Sequence, residues 1–302
     1  MSFKLTVLGT SSATPTLSRR PSAQALVFKN RTFLLDCGEG TQLQCLKYGV
    51  KMFKIERIFI SHFHADHYLG LMGLLSTLAL KGRTQEIYIY GPEGLQELIE
   101  TQLRLSEAYL TYPIHFIILS MDGTHTIYED KFLEIKSIPL AHRISCWGFL
   151  FKQRQPYRKI DKEALKHKNV PVAAFKALVY GRDYIDESGK VYSAKELTYG
   201  LPMKSYAYIT DTLYMESVAQ QLQGTDMIYH EATFLHELYE NAIRNFHATA
   251  LQAATFAQVA ATKQLLIGHF SARYDDLQPL LDEARSVFPN TLLAEEGKSY
   301  ET

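Results

Sequence analysis

The stretch Ile58-Phe59-Ile60-Ser61-His62-Phe63-His64-Ala65-Asp66-His67-Tyr68-Leu69-Gly70 carries the strongest signal in the chain. An apolar run leads into four candidate metal ligands packed within six residues. His62 and His64 are two apart, so in an extended segment both side chains point to one face. Asp66 and His67 follow, where the chain is expected to turn into a helix starting near Tyr68. All four side chains are therefore expected past the end of a strand, in a loop at the sheet edge. One ion cannot readily take all four. His62 and His64 suit one ion, and Asp66 with His67 suits a second beside it. Imidazole combined with carboxylate favours Zn²⁺, with Mn²⁺ or Fe as competitors.

The run from His62 to His67 resembles the His-x-His-x-Asp-His signature of the metallo-β-lactamase superfamily. That resemblance implies an α/β chain folded as an αββα sandwich, with one or two metals at the edge of the sheets. Members hydrolyse lactams, thioesters and phosphodiesters, so the motif implies a class of chemistry and not a substrate.

Length and composition narrow the alternatives. A chain of 302 residues is enough for one large two-layer domain or two smaller ones. Lys+Arg and Asp+Glu are both 32, which excludes a uniformly basic surface. Any nucleic-acid-binding patch must be local. The three cysteines, Cys37, Cys45 and Cys146, are scattered and odd in number. A disulfide framework is not expected, and a reducing cytoplasm fits. The N-terminal nine residues read as a strand rather than a signal peptide. The longest apolar run, Leu69 to Leu80, is too short to span a bilayer, so no membrane association is expected.

Strands are expected at Phe3–Leu8, Ala25–Phe28, Thr32–Leu35, Arg57–Ile60, Glu86–Tyr90, Ile114–Leu119, Thr124–Tyr128 and Phe132–Ile138. Helices are expected through Leu43 and Leu46, over Tyr68–Leu80 and over Glu93–Leu105. Gly70 and Gly73 point to close packing of the second of these. In the last third, strands are expected at Ser205–Thr210, Asp226–Tyr229, Gln264–Ile267 and Thr291–Leu293. Helices are expected at Leu235–Arg244, Thr249–Ala261 and Asp275–Val287, the middle one packing on an alanine face. Residues 152–198 break this rhythm. From Phe151 to Lys168 there are seven Lys/Arg against two acidic residues, a local excess of +5. The chain is thus read as a single hydrolase domain over 1–302, with a basic arm inserted at about 152–198. A solvated insertion is the plainer alternative for that segment.

Candidate ligands recur just past strand ends, at His142, Asp211 and His269 as well as at 62–67. The expected arrangement groups His62, His64 and His142 on one zinc, and Asp66, His67 and His269 on another. Asp211 bridges, since one carboxylate can reach two ions. Two such ions, roughly 3.5–4 Å apart, can clamp both the attacking and the leaving oxygen of a phosphoryl displacement.

Further segments narrow the resemblance to ribonuclease Z, the tRNA 3′-processing endonuclease, in its short form. They are Asp36-Cys37-Gly38-Glu39-Gly40-Thr41-Gln42, Pro139-Leu140-Ala141-His142, Asp211-Thr212, His230-Glu231-Ala232-Thr233, Phe246-His247-Ala248-Thr249 and Gly268-His269-Phe270-Ser271-Ala272-Arg273-Tyr274. The resemblance covers about 1–150 and 200–302. It departs at Thr210, where many members have Gly, and at Arg19-Arg20, where an Arg-Asn pair is usual. Pro171-Val172-Ala173-Ala174 stands in place of a Gly-Pro pair in the arm.

The resemblance implies a zinc-dependent phosphodiesterase that removes 3′ trailers from precursor tRNA and leaves a 3′-hydroxyl. It also implies a homodimer. Asp66 is implied as the general base toward the attacking water. His247, held by Glu231, is implied as the donor to the leaving oxygen, which needs a proton. Arg19, Arg20, Arg273, Lys152, Arg154, Arg158 and Lys159 are candidate contacts to the RNA. His115, His125, His167 and His236 lack supporting context and are read as structural. Two rival readings remain. One is a hydrolase of the same fold acting on a small ester, thioester or phosphodiester, which has no use for an arm. The other is a non-catalytic RNA-binding scaffold, against which an intact ligand set with Glu231 and His247 argues.

Overall fold

The structure, a computed structural model, describes residues 2–154, 157–166 and 168–302. His167, read above as structural, lies outside the described residues. In chain order the strands begin β1 (Phe3–Gly9), β2 (Ala23–Phe28), β3 (Arg31–Leu35), β4 (Ile55–Phe59), β5 (Ile87–Gly91) and β6 (Ile114–Ile118). They continue with β7 (His125–Glu129), β8 (Leu133–Leu140) and β9 (Cys146–Gln153). Short strands β10 (Lys159–Ile160), β11 (Tyr184–Ile185), β12 (Val191–Tyr192) and β13 (Thr198–Tyr199) follow. The last five are β14 (Ser205–Ile209), β15 (Met227–Glu231), β16 (Gln264–Gly268), β17 (Thr291–Leu293) and β18 (Ser299–Glu301).

One sheet runs β18-β1-β2-β3-β4-β5-β6, and a second runs β17-β16-β15-β14-β9-β8-β7. Strands β3 to β6 are parallel, as are β14 to β17. Parallel strands covered on both faces read as continuous apolar runs rather than alternations. β14 is an example, with all five residues buried. Its Tyr206 and Tyr208 reach the other sheet and donate to Gln24 Oε1 (2.5 Å) and Asp36 Oδ2 (2.7 Å). A buried phenol needs such a partner. Its Ala207 and Ile209 pack the opposite way, with Val218, Leu222 and Phe256. Phe59 of β4 meets Phe149 of β9 between the sheets, ring centroids 5.2 Å apart. Helices Thr41–Lys47, Leu71–Leu80 and Leu95–Leu105 contribute to a core that includes Leu34, Ile58 and Ile89 of the first sheet. Helices Glu216–Gln221, Ala250–Val259 and Gln278–Val287 cover the second sheet. The result is an αββα sandwich.

Several elements differ from the sequence expectation. The helix expected near Tyr68 begins at Ala65, so Asp66 and His67 sit in a short helical turn, Ala65–Tyr68, instead of the loop. A carboxylate in a first turn suits the positive end of a helix. The helix then restarts at Leu71. In Thr41–Lys47 it is Thr41, Gln44 and Cys45 that are buried, while Leu43 and Leu46 are exposed. Strand β9 gave no sequence signal because Cys146–Phe149 is buried on both faces and shows no alternation. The helix expected at Leu235–Arg244 is a 3-10 turn followed by Tyr239–Arg244. Ala250–Val259 keeps its alanine face, with Ala250, Ala253, Ala254 and Ala257 buried. A capping box of Thr249 and Gln252 opens it.

The chain forms two compact units. The sandwich unit takes the residues up to His125 together with Lys136–Leu150 and Ser205–Thr302. The second unit takes Thr126–Ile135 and Phe151–Lys204. Within this second unit β10 pairs with β13 and β11 with β12. Ala174, Leu178, Tyr192, Ala194 and Leu197 form a small apolar core of its own. Asp161 caps the short helix Lys162–Leu165 by accepting from the amides of Glu163 and Ala164. Among the described residues, no helix is long and apolar enough to cross a membrane.

Gly70 and Gly38 let two loops of the sandwich touch. A Cβ on Gly70 would lie 2.0 Å from the Gly38 carbonyl oxygen, and one on Gly38 would lie 2.4 Å from the Asp66 carbonyl oxygen. Gly73 is different, because its nearest neighbour is the Gln42 amide, a flexible side-chain end, at 3.4 Å. Gly70→Ala is therefore expected to destabilise the fold by about 2 kcal/mol or more through overpacking against backbone. Gly73→Ala is expected to be neutral or stabilising by up to about 1 kcal/mol, since alanine favours a helix interior. Urea unfolding of the two variants checks this. Equal midpoints would show that Gly70 is not a contact point.

Candidate metal centre and active site

The parallel strands deliver the site from their C-terminal ends. β4 leads to His62, β14 to Asp211, β16 to His269, and β15 ends on His230-Glu231. His142 follows β8. Among the described residues, three groups of side chains have ligand atoms within 4.8 Å of one another: His62, His64, His142 and Asp211; Asp66, His67 and His269; and Asp211, His247 and His269. Asp211 stands between the first two groups with one oxygen toward each. Its Oδ2 is 3.6 Å from His62 Nε2 and 4.0 Å from His142 Nε2. Its Oδ1 is 3.5 Å from His67 Nε2 and 3.2 Å from His269 Nε2.

Four of the five imidazoles are aimed by a hydrogen bond on Nδ1. His67 Nδ1 donates to Asp36 Oδ2 (2.8 Å) and His142 Nδ1 to the Phe246 carbonyl (3.0 Å). Ser61 Oγ lies 3.0 Å from His62 Nδ1 and donates its own proton to Asp36 Oδ2 at 2.9 Å. Thr233 Oγ1 lies 3.0 Å from His269 Nδ1 and donates to Glu231 Oε2 at 2.6 Å. Their Nε2 atoms are thereby turned inward. His67 Nε2 and His269 Nε2 are buried without a hydrogen-bond partner among the described residues. His62 Nε2 and His142 Nε2 face His64 Nδ1 at 2.9 and 3.2 Å. Buried ring nitrogens oriented from behind and unsatisfied in front are the donor set of a cation site. The residues present fit a metal.

The electrostatics agree. Asp36, Asp211 and Glu231 are buried, and Asp66 is nearly so. Burial opposes the charge on Asp66, but His67 and His269 hold its carboxyl well below the usual range. Asp211 is likewise held well below it by His269, His67 and His62 against its burial. Burial pushes the imidazoles of His62, His64 and His142 down. His67 is drawn up despite complete burial, because Asp66, Asp211 and Asp36 surround it.

Beside this centre Glu231 holds His247. Glu231 Oε1 accepts from the Thr212 amide (2.8 Å) and from His247 Nδ1 (2.9 Å). Burial lowers the His247 pKa, but the charge and hydrogen bond of Glu231 raise it further, to about 9. The ring's remaining nitrogen is left for a cavity of about 560 Å³, which His64, Asp66, His142, Asp211, His247 and His269 help to line.

The other expected contacts divide. Arg19 is buried and donates to the Ser271 carbonyl at 3.2 Å, tying the first loop to the segment after His269. Arg20 is exposed and donates to the Thr16 carbonyl. Arg273 lies over the Phe234 ring, 4.9 Å from its centroid. Lys152, Arg154, Arg158 and Lys159 belong to the second unit. There Arg154 pairs with Glu129, and Arg158 donates to Thr198 Oγ1 and to the Thr198 carbonyl. His115 pairs with Glu86, His125 with Asp122, and His236 with Thr249 Oγ1. The sequence reading assigned no role to Ser61, Thr233 or the Phe246 carbonyl. It likewise missed the Ala13 amide, which donates to Asp66 Oδ2 at 2.9 Å. Backbone donors and acceptors leave no mark on residue type. Asp36 was visible in its motif, without its partner Tyr208.

The family described as Anti-Pycsar protein Apyc1 matches residues 3–154, a span that ends before Asp211. Among solved structures, human tRNase Z, short form, superposes with a TM-score of 0.71 at 26% identity, covering 98% of each chain. The metallo-β-lactamase fold protein YhfI from Bacillus subtilis superposes at 0.70 with 19% identity over 100% of each chain, a likeness of fold. Ribonuclease Z of Bacteroides fragilis is 41% identical over 296 residues, covering 98% of this chain and 97% of its own. Ribonuclease Z of Cytophaga hutchinsonii is 43% identical over 302 residues, covering 99% and 96%. Identity of this level over nearly the full length of both chains shows the family: the chain belongs to the ribonuclease Z family.

Proposed function

We propose that this protein is an endoribonuclease that cuts precursor tRNA near its 3′ end and leaves a 3′-hydroxyl on the tRNA. The observation that carries the reading is the Glu231–His247 pair set beside two ligand groups that share Asp211. Hydrolysis of a small activated ester needs no such acid, whereas an RNA 3′-oxygen leaves poorly without a proton. The direct test is cleavage of a 3′-extended precursor tRNA with and without a chelator. An intact precursor in both arms would remove the reading.

His62, His64 and His142 would hold one ion and Asp66, His67 and His269 another, with Asp211 shared. Zinc is the expected metal, with Mn²⁺ or Fe as the alternatives. When bound, the ions supply Lewis-acid charge to the phosphoryl group. Asp66, fixed by the Ala13 amide, orients the attacking water and takes its proton. His247 gives a proton to the departing 3′-oxygen, and Glu231 stabilises the imidazolium until it does. A homodimer in the cytoplasm completes the reading, and sedimentation analysis tests its oligomeric part.

Asp211→Ala is expected to lower bound metal from two ions per chain toward one or none, measured by elemental analysis. Retention of two would exclude the shared ligand.

His247→Ala is expected to slow precursor cleavage by roughly 10²–10⁴-fold and to spare a substrate with an activated aryl leaving group. Glu231 raises the His247 pKa, so the protonated acid persists to higher pH than it otherwise would. Activity that depends on it is present below that pKa and lost as pH rises through it. Glu231→Gln is therefore expected to move the alkaline limb of kcat/KM to lower pH. An unmoved limb would mean that Glu231 does not tune the acid.

In the second unit Lys152 and Lys159 are exposed and make no ion pair among the described residues. They are the better candidates there for gripping the tRNA body. Neutralising each is expected to lower the slope of log KM against log salt for tRNA by about 0.9. An unchanged slope would make the segment a solvated insertion.

A further inference from the structure

One wall of the cavity has no task in the reaction so far. It is formed by the turn Arg244-Asn245-Phe246, directly before His247, and by Arg143, directly after His142. Phe246 has a left-handed backbone, with φ of 59°. The turn is needed, because the Phe246 carbonyl accepts from His142 Nδ1. Glycine would present the same carbonyl without strain. The phenyl ring therefore calls for a reason of its own. It stays partly exposed on the cavity wall, edge-on to His142 with centroids 6.3 Å apart. Arg143 and Arg244 are both exposed and neither pairs with a carboxylate among the described residues. Arg143 lies against His64 Nε2, at 3.1 Å. A guanidinium gains far more from a phosphate than from an imidazole.

We propose that Phe246 is the stacking platform for the base of a nucleotide beside the scissile bond, and that Arg143 and Arg244 grip the phosphates flanking it. This rests on the reading of the chain as an RNA-cutting enzyme. A single strand is recognised by stacking on aromatic faces combined with cationic contacts to its backbone. A ring one residue from the proton donor, with two arginines lining the same cavity as the ligand groups, places that recognition at the reacting phosphate.

The probe is a short single-stranded oligoribonucleotide. It is tested as a competitive inhibitor while the metal-loaded protein hydrolyses a small chromogenic phosphodiester. Phe246→Gly is expected to raise the inhibition constant by roughly 5- to 150-fold, the loss of one stacked base. Phe246→Trp is expected to restore it. The thermal midpoint of Phe246→Gly should stay at or above that of the parent, because glycine suits the left-handed backbone. Arg143→Ala and Arg244→Ala should each lower the slope of log inhibition constant against log salt by about 0.7. An inhibition constant unchanged in Phe246→Gly, or raised equally in Phe246→Trp, overturns the proposal. A lowered midpoint with unchanged inhibition does so too, by making the ring a packing element. A protein that leaves precursor tRNA intact yet binds the oligonucleotide through Phe246 would bring down the tRNA reading and support this one.

Discussion

The carboxylate of Asp36 is the interaction on which the rest depends. It is fully buried and accepts four hydrogen bonds: from the Ser61 amide (2.7 Å), Ser61 Oγ (2.9 Å), His67 Nδ1 (2.8 Å) and Tyr208 Oη (2.7 Å). A carboxylate buried without partners would cost several kcal/mol, and here every donor comes from a functional segment. Ser61 and His67 bracket the ligand loop after β4, and Tyr208 belongs to β14, the strand that leads to Asp211. One group thus joins the two sheets and sets the rotation of a candidate ligand. The backbone of Asp36 is left-handed, with φ of 53°. Asp and Asn tolerate that region better than most residues, so the same side chain serves the turn and the network.

Glu231 repeats this logic beside His247. It too is fully buried, and its donors are the Thr212 amide, Thr233 Oγ1 and His247 Nδ1. Thr233 sits between Glu231 and His269, so the group that holds His247, the proposed acid, and the group that orients His269, a candidate ligand, share one hydroxyl. The four carboxylates therefore divide in two. Asp36 and Glu231 face away from the ligand atoms and hold imidazoles in place. Asp66 and Asp211 face the ligand atoms of those same imidazoles. Outer partners of this kind govern ligand basicity and geometry as strongly as the ligands govern affinity.

The sequence revealed what depends on residue type and spacing. His62 to His67 could be read because few functions other than metal binding place three His and one Asp so closely. The strands ending at Asp211, Glu231 and His269 could be read because an apolar run stops abruptly at a polar group. What stayed hidden depends on contacts between distant segments or on the backbone. The first half of β9, Cys146–Phe149, shows no alternation because both its faces are covered. The Ala65–Tyr68 turn is tied to the loop after β3 by backbone hydrogen bonds, the Cys37 amide donating to the His67 carbonyl and the Gly70 amide to the Cys37 carbonyl, which no local pattern displays. The second unit read as irregular because its apolar core is only a handful of residues, too few to set a period.

Basic residues show the same limit most sharply. The chain has as many acidic as basic side chains, so charge counting alone locates no RNA surface. The structure sorts the arginines and lysines by what already occupies them. Arg19 is spent on a carbonyl inside the fold, Arg158 on Thr198, Arg154 on Glu129 and Lys168 on Glu196. A cation engaged in this way must give up a contact before it meets a phosphate, so its net gain is smaller than that of a cation without one. Arg20, Arg143, Arg244, Lys152 and Lys159 remain exposed. Local excess of charge in the sequence pointed to residues 152–168, whereas vacancy of partners points also to the turn before His247 and the residue after His142. Availability, rather than number, decides which cations can read a nucleic acid in a chain of zero net charge.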